Sequence, residues 1–163
     1  MHEETERLQM IVGREIARNR PMWVIQNSTH FFGRCECDIV YMTEAGLLTE
    51  VEVKRTTSDA VADARKKRWR FMESVVVGGE VDFSSRLLNI SRVPNRFYMA
   101  APAGVIRPQD LHPWAGLIHI NTYGKGGISV VKSAPLLHRQ KADFAKTMKY
   151  LCRRQMRREF GPL

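Results

Sequence analysis

Cysteine is scarce in this chain, with only Cys35, Cys37 and Cys152. An odd count reads as reduced thiols rather than a disulfide framework. Cys35 and Cys37 also lie on one face of one strand, poorly placed to bridge each other. A zinc site lacks ligands for the same reason. Cys35-x-Cys37 has no second Cys or His pair at the usual separation, and His2, His30, His112, His119 and His138 are scattered. No apolar run is long enough to span a bilayer, and the start Met1-His2-Glu3-Glu4 is unlike a secretory signal. The expectation is an intracellular protein that does not engage a membrane. Internal repeats and low-complexity segments are missing too. Gly124-Lys125-Gly126-Gly127 lacks the pattern of a phosphate-binding loop and reads as a hairpin turn.

Acidic residues are in short supply. Seventeen Asp and Glu stand against 26 Lys and Arg, a net charge of +9 that points to a polyanionic partner. The excess is clustered. Lys54-Arg55 and Arg65-Lys66-Lys67-Arg68-Trp69-Arg70 form one group. Arg139, Lys141, Lys146, Lys149, Arg153, Arg154, Arg157 and Arg158 form a second, against Asp143 and Glu159. Such clusters hold phosphates without reading sequence; taken singly, each is better read as a solvated helix face. The terminal segment has no aromatic-rich face, which argues against an anionic membrane surface.

What is present is a compact group of ionisable residues. Asp38 is followed, after 13 intervening residues, by Glu52-Val53-Lys54. The stretch reads as two strands, 35–43 and 47–55, joined by a turn at Thr43-Glu44-Ala45-Gly46, and so as antiparallel neighbours. Side chains alternate along a strand, which places Glu50, Glu52 and Lys54 on one face and Thr49, Val51 and Val53 on the other. The expectation is an exposed site on a buried strand, with Asp38 and Glu52 converging across the hairpin. Two carboxylates and a backbone carbonyl suit a hard divalent ion such as Mg2+. Lys54 is close enough to place or deprotonate an attacking water and to offset charge. A surface strand with a weak Glu–Lys ion pair is the other reading of these residues.

Asp38 with Glu52-Val53-Lys54 resembles the signature of the PD-(D/E)XK, or restriction-endonuclease-like, nuclease superfamily. Glu50 to Asp59, followed by Ala62-Asp63-Ala64-Arg65-Lys66-Lys67, is similar to phage and bacterial DNA-repair endonucleases of that group, as are Pro94 to Pro102 and Trp114 to Ile120. The likeness covers roughly residues 35 to 135, with Cys37 where a Pro often stands. It implies a Mg2+- or Mn2+-dependent DNA endonuclease, or an exonuclease, hydrolysing phosphodiester bonds by a metal-activated water in phage DNA processing or in DNA repair and recombination. Asp38, Glu52 and the Val53 carbonyl would hold the metal, and Asp38, Glu52 and Lys54 would form the catalytic set. Arg55, Lys66, Lys67 and Arg68 would position the nucleic acid. Relatives often add a carboxylate from the first helix; here Glu4 and Glu15 both fall on its apolar side, whereas Glu6 does not. A homodimer would follow from symmetric cleavage. A non-catalytic or partner-dependent DNA-binding protein on the same scaffold is the alternative. A weaker one is RNA binding through Trp69, Phe71, Phe97 and Tyr98.

The pattern along the chain predicts one α/β domain over residues 1–163, a central mixed sheet flanked by helices in the order αβββαβ, with the restriction-endonuclease-like core that the resemblance implies. Helices are expected at about 3–19, 58–73 (capped by Thr57 or Ser58) and 138–159, the last strongly basic. Strands are expected at about 23–31, 35–43, 47–55, 96–101, 115–121 and 127–133. Residues 78–95 read as a loop or irregular insertion, with a lid or a dimer contact as open alternatives.

Overall fold

The structure is a computed structural model that describes residues 2–32, 36–64, 76–77, 80–81, 93–124 and 126–161. Leu8, Ile11, Val12 and Ile16 recur at helical spacing, and they form the buried stripe of α1, His2–Arg18. The helix stops before Pro21, which disfavours helix in the residue preceding it. Three antiparallel strands follow, β1 (Trp23–Ser28), β2 (Cys37–Met42) and β3 (Leu48–Val53). Gly46, at φ 81°, closes the turn between the last two, a conformation open to glycine.

The short helix α2 (Thr57–Ala64) comes next. Its N-cap is Thr56, one residue before the expected Thr57 or Ser58. Thr56 Oγ1 accepts from the Asp59 N–H at 3.1 Å, and Asp59 Oδ2 accepts from the Thr56 N–H at 3.1 Å, a reciprocal capping box. Thr57 donates instead to the Val105 carbonyl. The expected continuation of this helix to residue 73 lies outside the described residues. Two short strands, β4 (Val76–Val77), just before the segment expected to be irregular, and β5 (Glu80–Val81), within it, pair with each other. Then come β6 (Arg96–Pro102), β7 (Ala115–Asn121) and β8 (Gly127–Lys132), within a residue or so of expectation.

The six long strands form one mixed sheet in the order β1-β2-β3-β6-β7-β8. The β3–β6 and β6–β7 pairs are parallel and the others antiparallel. The α1 stripe covers one face, packing on Ile39, Val51, Val53, Ala100, Ile118 and Ile120. The opposite face carries a second core of Phe97, Met99, Trp114, Leu117 and Leu137, with Ala60 of α2 against it. The architecture is therefore α/β, a six-stranded mixed sheet flanked by helices.

The C-terminal helix, α3, runs Phe144–Phe160 rather than from about 138. Asp143 caps it, accepting from the Lys146 N–H at 3.0 Å. The residues before it are held extended by distant partners. Leu137 N–H donates to the Asn95 carbonyl, and Ala142 N–H to the Gly46 carbonyl. Buried Asn95 is the hub: its Oδ1 accepts from the Leu48 N–H at 2.7 Å, and its Nδ2 donates to the His138 and Gln140 carbonyls, each at 2.9 Å. Asn95→Ala should strand three backbone groups and cost roughly 2–4 kcal/mol. Urea unfolding measures this, and a loss well under 1 kcal/mol would show that the hub is dispensable.

His138 sits in the same network. Its Nε2 lies 2.9 Å from the Val93 carbonyl and so carries the proton, leaving Nδ1 to accept from Asn95 Nδ2 at 3.1 Å and the Gln140 N–H at 3.2 Å. Burial holds the imidazole below its ordinary pKa of 6.5, against a smaller opposing effect of the Val93 hydrogen bond. Below 6.5 the unfolded chain then binds more protons than the folded one. The contribution of His138 is full above that pH and declines as pH falls. The melting temperature should drop on acidification from pH 7 to 5, and less so in His138→Gln; equal slopes in the two proteins would refute the linkage.

Candidate active site on adjacent strands

The candidate residues lie where β2 begins and β3 ends, the same edge of the sheet because the two strands are antiparallel. The β2–β3 ladder runs from Met42↔Leu48 to Ile39↔Val51. Beyond it, the Val53 N–H donates to Asp38 Oδ2 at 2.7 Å. A side-chain carboxylate thus occupies a donor that a continued ladder would use. On the other side of β2 the registered partners step from Gln26↔Ile39 to Ser28↔Cys37. The intervening Asn27 has φ 51°, a left-handed conformation that Asn tolerates better than most residues. Side-chain alternation slips here as well. Cys37 packs with Val40 and Phe32, whereas Ile39 faces α1. Asp38 is thereby turned so that Gln9 of α1 can reach it, its Nε2 donating to Asp38 Oδ1 at 3.1 Å.

On β3 the alternation holds, but its expected exposure does not. Glu50, Glu52 and Lys54 are only 0%, 3% and 7% exposed. The reason is the parallel pairing with β6, in which Glu50 lies beside Phe97 and Glu52 beside Met99. Parallel central strands are covered on both faces. The charges therefore point into a covered layer, not onto an open surface, and burial demands pairing. Lys54 Nζ stands 2.9 Å from Glu52 Oε2. The other oxygen, Glu52 Oε1, is buried and accepts no hydrogen bond. A buried acceptor without a donor costs on the order of 1–3 kcal/mol, and in native proteins it usually marks a water, an ion or a functional position.

Asp38 and the Glu52–Val53–Lys54 segment therefore meet through the Val53 backbone amide, with Asp38 held from the α1 side by Gln9, and with Glu52 and Lys54 on the face of β3 opposite Val51 and Val53. Asp38 is bound to the Val53 amide, and Lys54 to the carboxylate of Glu52. The two first-helix candidates separate. Glu4 is exposed and reaches Arg55, the residue after Lys54, at 3.6 Å. Glu15 lies three turns farther along α1 and pairs with Arg18 at 2.5 Å and Arg14 at 3.6 Å. Arg55 is thus engaged beside the site. Lys66, Lys67 and Arg68 lie outside the described residues. Among the described residues no group of three His, Cys, Asp or Glu side chains is gathered closely enough to hold a metal. Gln9 was not singled out by sequence reasoning. The available signal was a polar residue flanking the apolar stripe at Leu8, Val12 and Ile16.

No protein-family model matches the chain, and no curated protein matches it in sequence. A solved structure of a protein of unknown function from Silicibacter pomeroyi is similar, with a TM-score of 0.61 over 96% of this chain and 91% of that one, at 16% identity. At that identity the likeness is one of fold. Among the described residues no helix is long and apolar enough to cross a membrane.

Burial makes the Glu52–Lys54 pair consequential for stability. Lys54→Met should leave Glu52 as an uncompensated buried charge and cost about 3–5 kcal/mol. The double variant Glu52→Leu/Lys54→Met should recover most of that loss. If Lys54→Met alone unfolds in urea like the wild type, the pair is not the buried interaction described.

Proposed function

We propose that this chain is a Mg2+- or Mn2+-dependent DNA nuclease of the PD-(D/E)XK type, with a restriction-endonuclease-like core and endonuclease action in phage DNA processing or DNA repair. What supports the reading is that Asp38 binds the Val53 amide, one residue from the Glu52–Lys54 pair, and that the buried Glu52 Oε1 has no hydrogen-bond donor among the described residues. The order of α1, β1 to β3, α2 and β6 supports it.

The residues fit a small hard cation. Two carboxylates with a backbone carbonyl match the few protein ligands that Mg2+ takes, since it keeps several waters rather than demanding an all-protein cage. Asp38, Glu52 and the Val53 carbonyl would hold it. When bound, such an ion supplies Lewis-acid polarisation of the phosphate and a more acidic water. The chain's own residues do the rest. The Val53 amide and Gln9 fix the orientation of the Asp38 carboxylate, so no reorganisation is needed when substrate arrives. Lys54 orients Glu52 through Oε2 and brings a positive charge to where the pentavalent phosphorane accumulates negative charge. As an ammonium it would donate a proton to the leaving oxygen; only as the neutral amine would it take one from the attacking water.

One observation favours a second reading. The Glu52–Lys54 pair is closed and buried, as in a structural ion pair, which suits a non-catalytic or partner-dependent DNA-binding protein on this scaffold. Cleavage of labelled duplex, single-stranded, flap and four-way-junction DNA with Mg2+, Mn2+ or EDTA separates the two. Metal-dependent cutting should fall about a hundredfold or more in the near-isosteric variants Glu52→Gln and Asp38→Asn, the scale of one electrostatic or acid–base group. Cutting that survives EDTA or both substitutions would sink the nuclease reading. Salt-sensitive binding without cutting on any substrate would favour the second.

A further inference from the structure

A cleft separates α3 from the residues that follow β1. Its lining includes Thr29, His30, Lys146, Lys149, Tyr150, Arg153 and Arg157, without a carboxylate. The four cations recur at i, i+3, i+7 and i+11 on one helix face, a stripe about 16 Å long. All four are exposed, and among the described residues none is paired with an acid. Four exposed cations without acid partners, aligned along one groove, are a surface complementary to phosphate.

The floor of the cleft is aromatic and rigidly held. His30 stacks on Tyr150 with centroids 4.0 Å apart and planes 2° from parallel. Phe31 meets both rings edge-on, at 5.4 Å. Ser28 Oγ lies 2.9 Å from the Tyr150 hydroxyl, and Arg154 anchors α3 by donating to the Gln26 carbonyl at 2.7 Å. Burial, and then the charge of Lys146, hold the His30 imidazole below its ordinary pKa. At neutral pH it therefore presents an uncharged ring, exposed beyond the stack. Ser28, which meets the Tyr150 hydroxyl beneath the cleft, is the registered partner of Cys37, the residue before Asp38.

We infer that this cleft docks single-stranded DNA, its phosphates running along Lys146, Lys149, Arg153 and Arg157 and a base stacking on the His30–Tyr150 pair. A stack of rings beside a cation stripe suits unpaired bases, whose faces a duplex keeps covered. The inference rests on the reading that the protein acts on DNA and adds where the strand lies and in what form.

Binding measured in EDTA tests it independently of catalysis. Fluorescence anisotropy would follow a labelled oligothymidylate and a labelled duplex of equal length over a salt series. The single strand should bind more tightly. Lys149→Ala/Arg153→Ala should weaken it about tenfold and reduce the slope of log affinity against log salt by about 1.4, at roughly 0.7 per phosphate contact. His30→Ala should weaken single-strand binding about fivefold or more with the slope unchanged. Circular dichroism melts check folding, and Lys146→Gln/Arg157→Gln repeats the charge test at the outer positions. Preference for the duplex, an unchanged slope in both charge variants, or a His30→Ala protein that binds as the wild type does would each overturn the inference.

Discussion

The structure depends on one constraint: β3 is covered on both faces yet carries Glu50, Glu52 and Lys54. Val51 and Val53 satisfy the α1 side by ordinary apolar burial. On the other side, charges lie beside Phe97 and Met99. Removing an ion from water costs several kcal/mol even after relaxation, so these side chains require partners supplied by the fold. Lys54 answers Glu52 Oε2, and its backbone N–H is tied to the Ala100 carbonyl of β6, which fixes where the ammonium can reach. Replacing such a pair by apolar residues is often neutral or stabilising. Stability is therefore a poor reason for its presence, and a chemical role becomes the more economical account.

Asp38 creates the second condition. By taking the Val53 amide it ends the β2–β3 ladder and replaces a ladder hydrogen bond with a charge-assisted one, the stronger kind. On the other side of β2 the register is unchanged, but the Asn27–Asp38 pair is missing, with Asn27 in the left-handed region. Pairing is therefore irregular on both sides of β2 at Asp38, the residue that binds the amide next to Glu52. Irregular sheet edges of this sort re-aim side chains next to functional positions. Gln9 completes the arrangement from α1, linking the helix that covers one face to the site at the edge.

Much of this was legible in the sequence. The six long strands and the first helix could be read from short runs of β-formers, the Leu8 to Ile16 stripe and the turn residues, because each is a local pattern. The antiparallel pairing that brings Asp38 to the Val53 amide followed from a short turn, and the shared face of Glu52 and Lys54 from a period of two. Exposure did not follow. Alternation says which residues share a face, but not what covers it, and Glu50 and Glu52 are covered because β6 pairs parallel from more than 40 residues away. The start of α3 was hidden for the same reason. Lys141 and Gln140 are good helix formers, but Asn95, far back in the chain, holds that stretch extended. The Thr56 cap was within reach, since Thr-x-x-Asp is a local signal.

Charge at the site sets what the proposed function requires. In the proposed function a phosphate must approach the carboxylates of Asp38 and Glu52. A polyanion approaching such a centre is repelled, and more strongly inside a covered layer than in water, because the effective dielectric is lower. Attraction from the surface cannot cure this. The Lys146 to Arg157 stripe is solvent-exposed, and its field is screened over about 8–10 Å at ordinary ionic strength. Surface cations can capture and align a strand, but the phosphate that meets Asp38 and Glu52 needs a positive charge at the carboxylates themselves. Lys54 supplies one and is already committed to Glu52 Oε2. The unsatisfied Oε1 is where a second would be most stabilised. A divalent ion there would convert a repulsive centre into an attractive one and relieve the buried orphan at once. For the proposed function, the Glu52 oxygen without a donor among the described residues is the observation that favours a cation there.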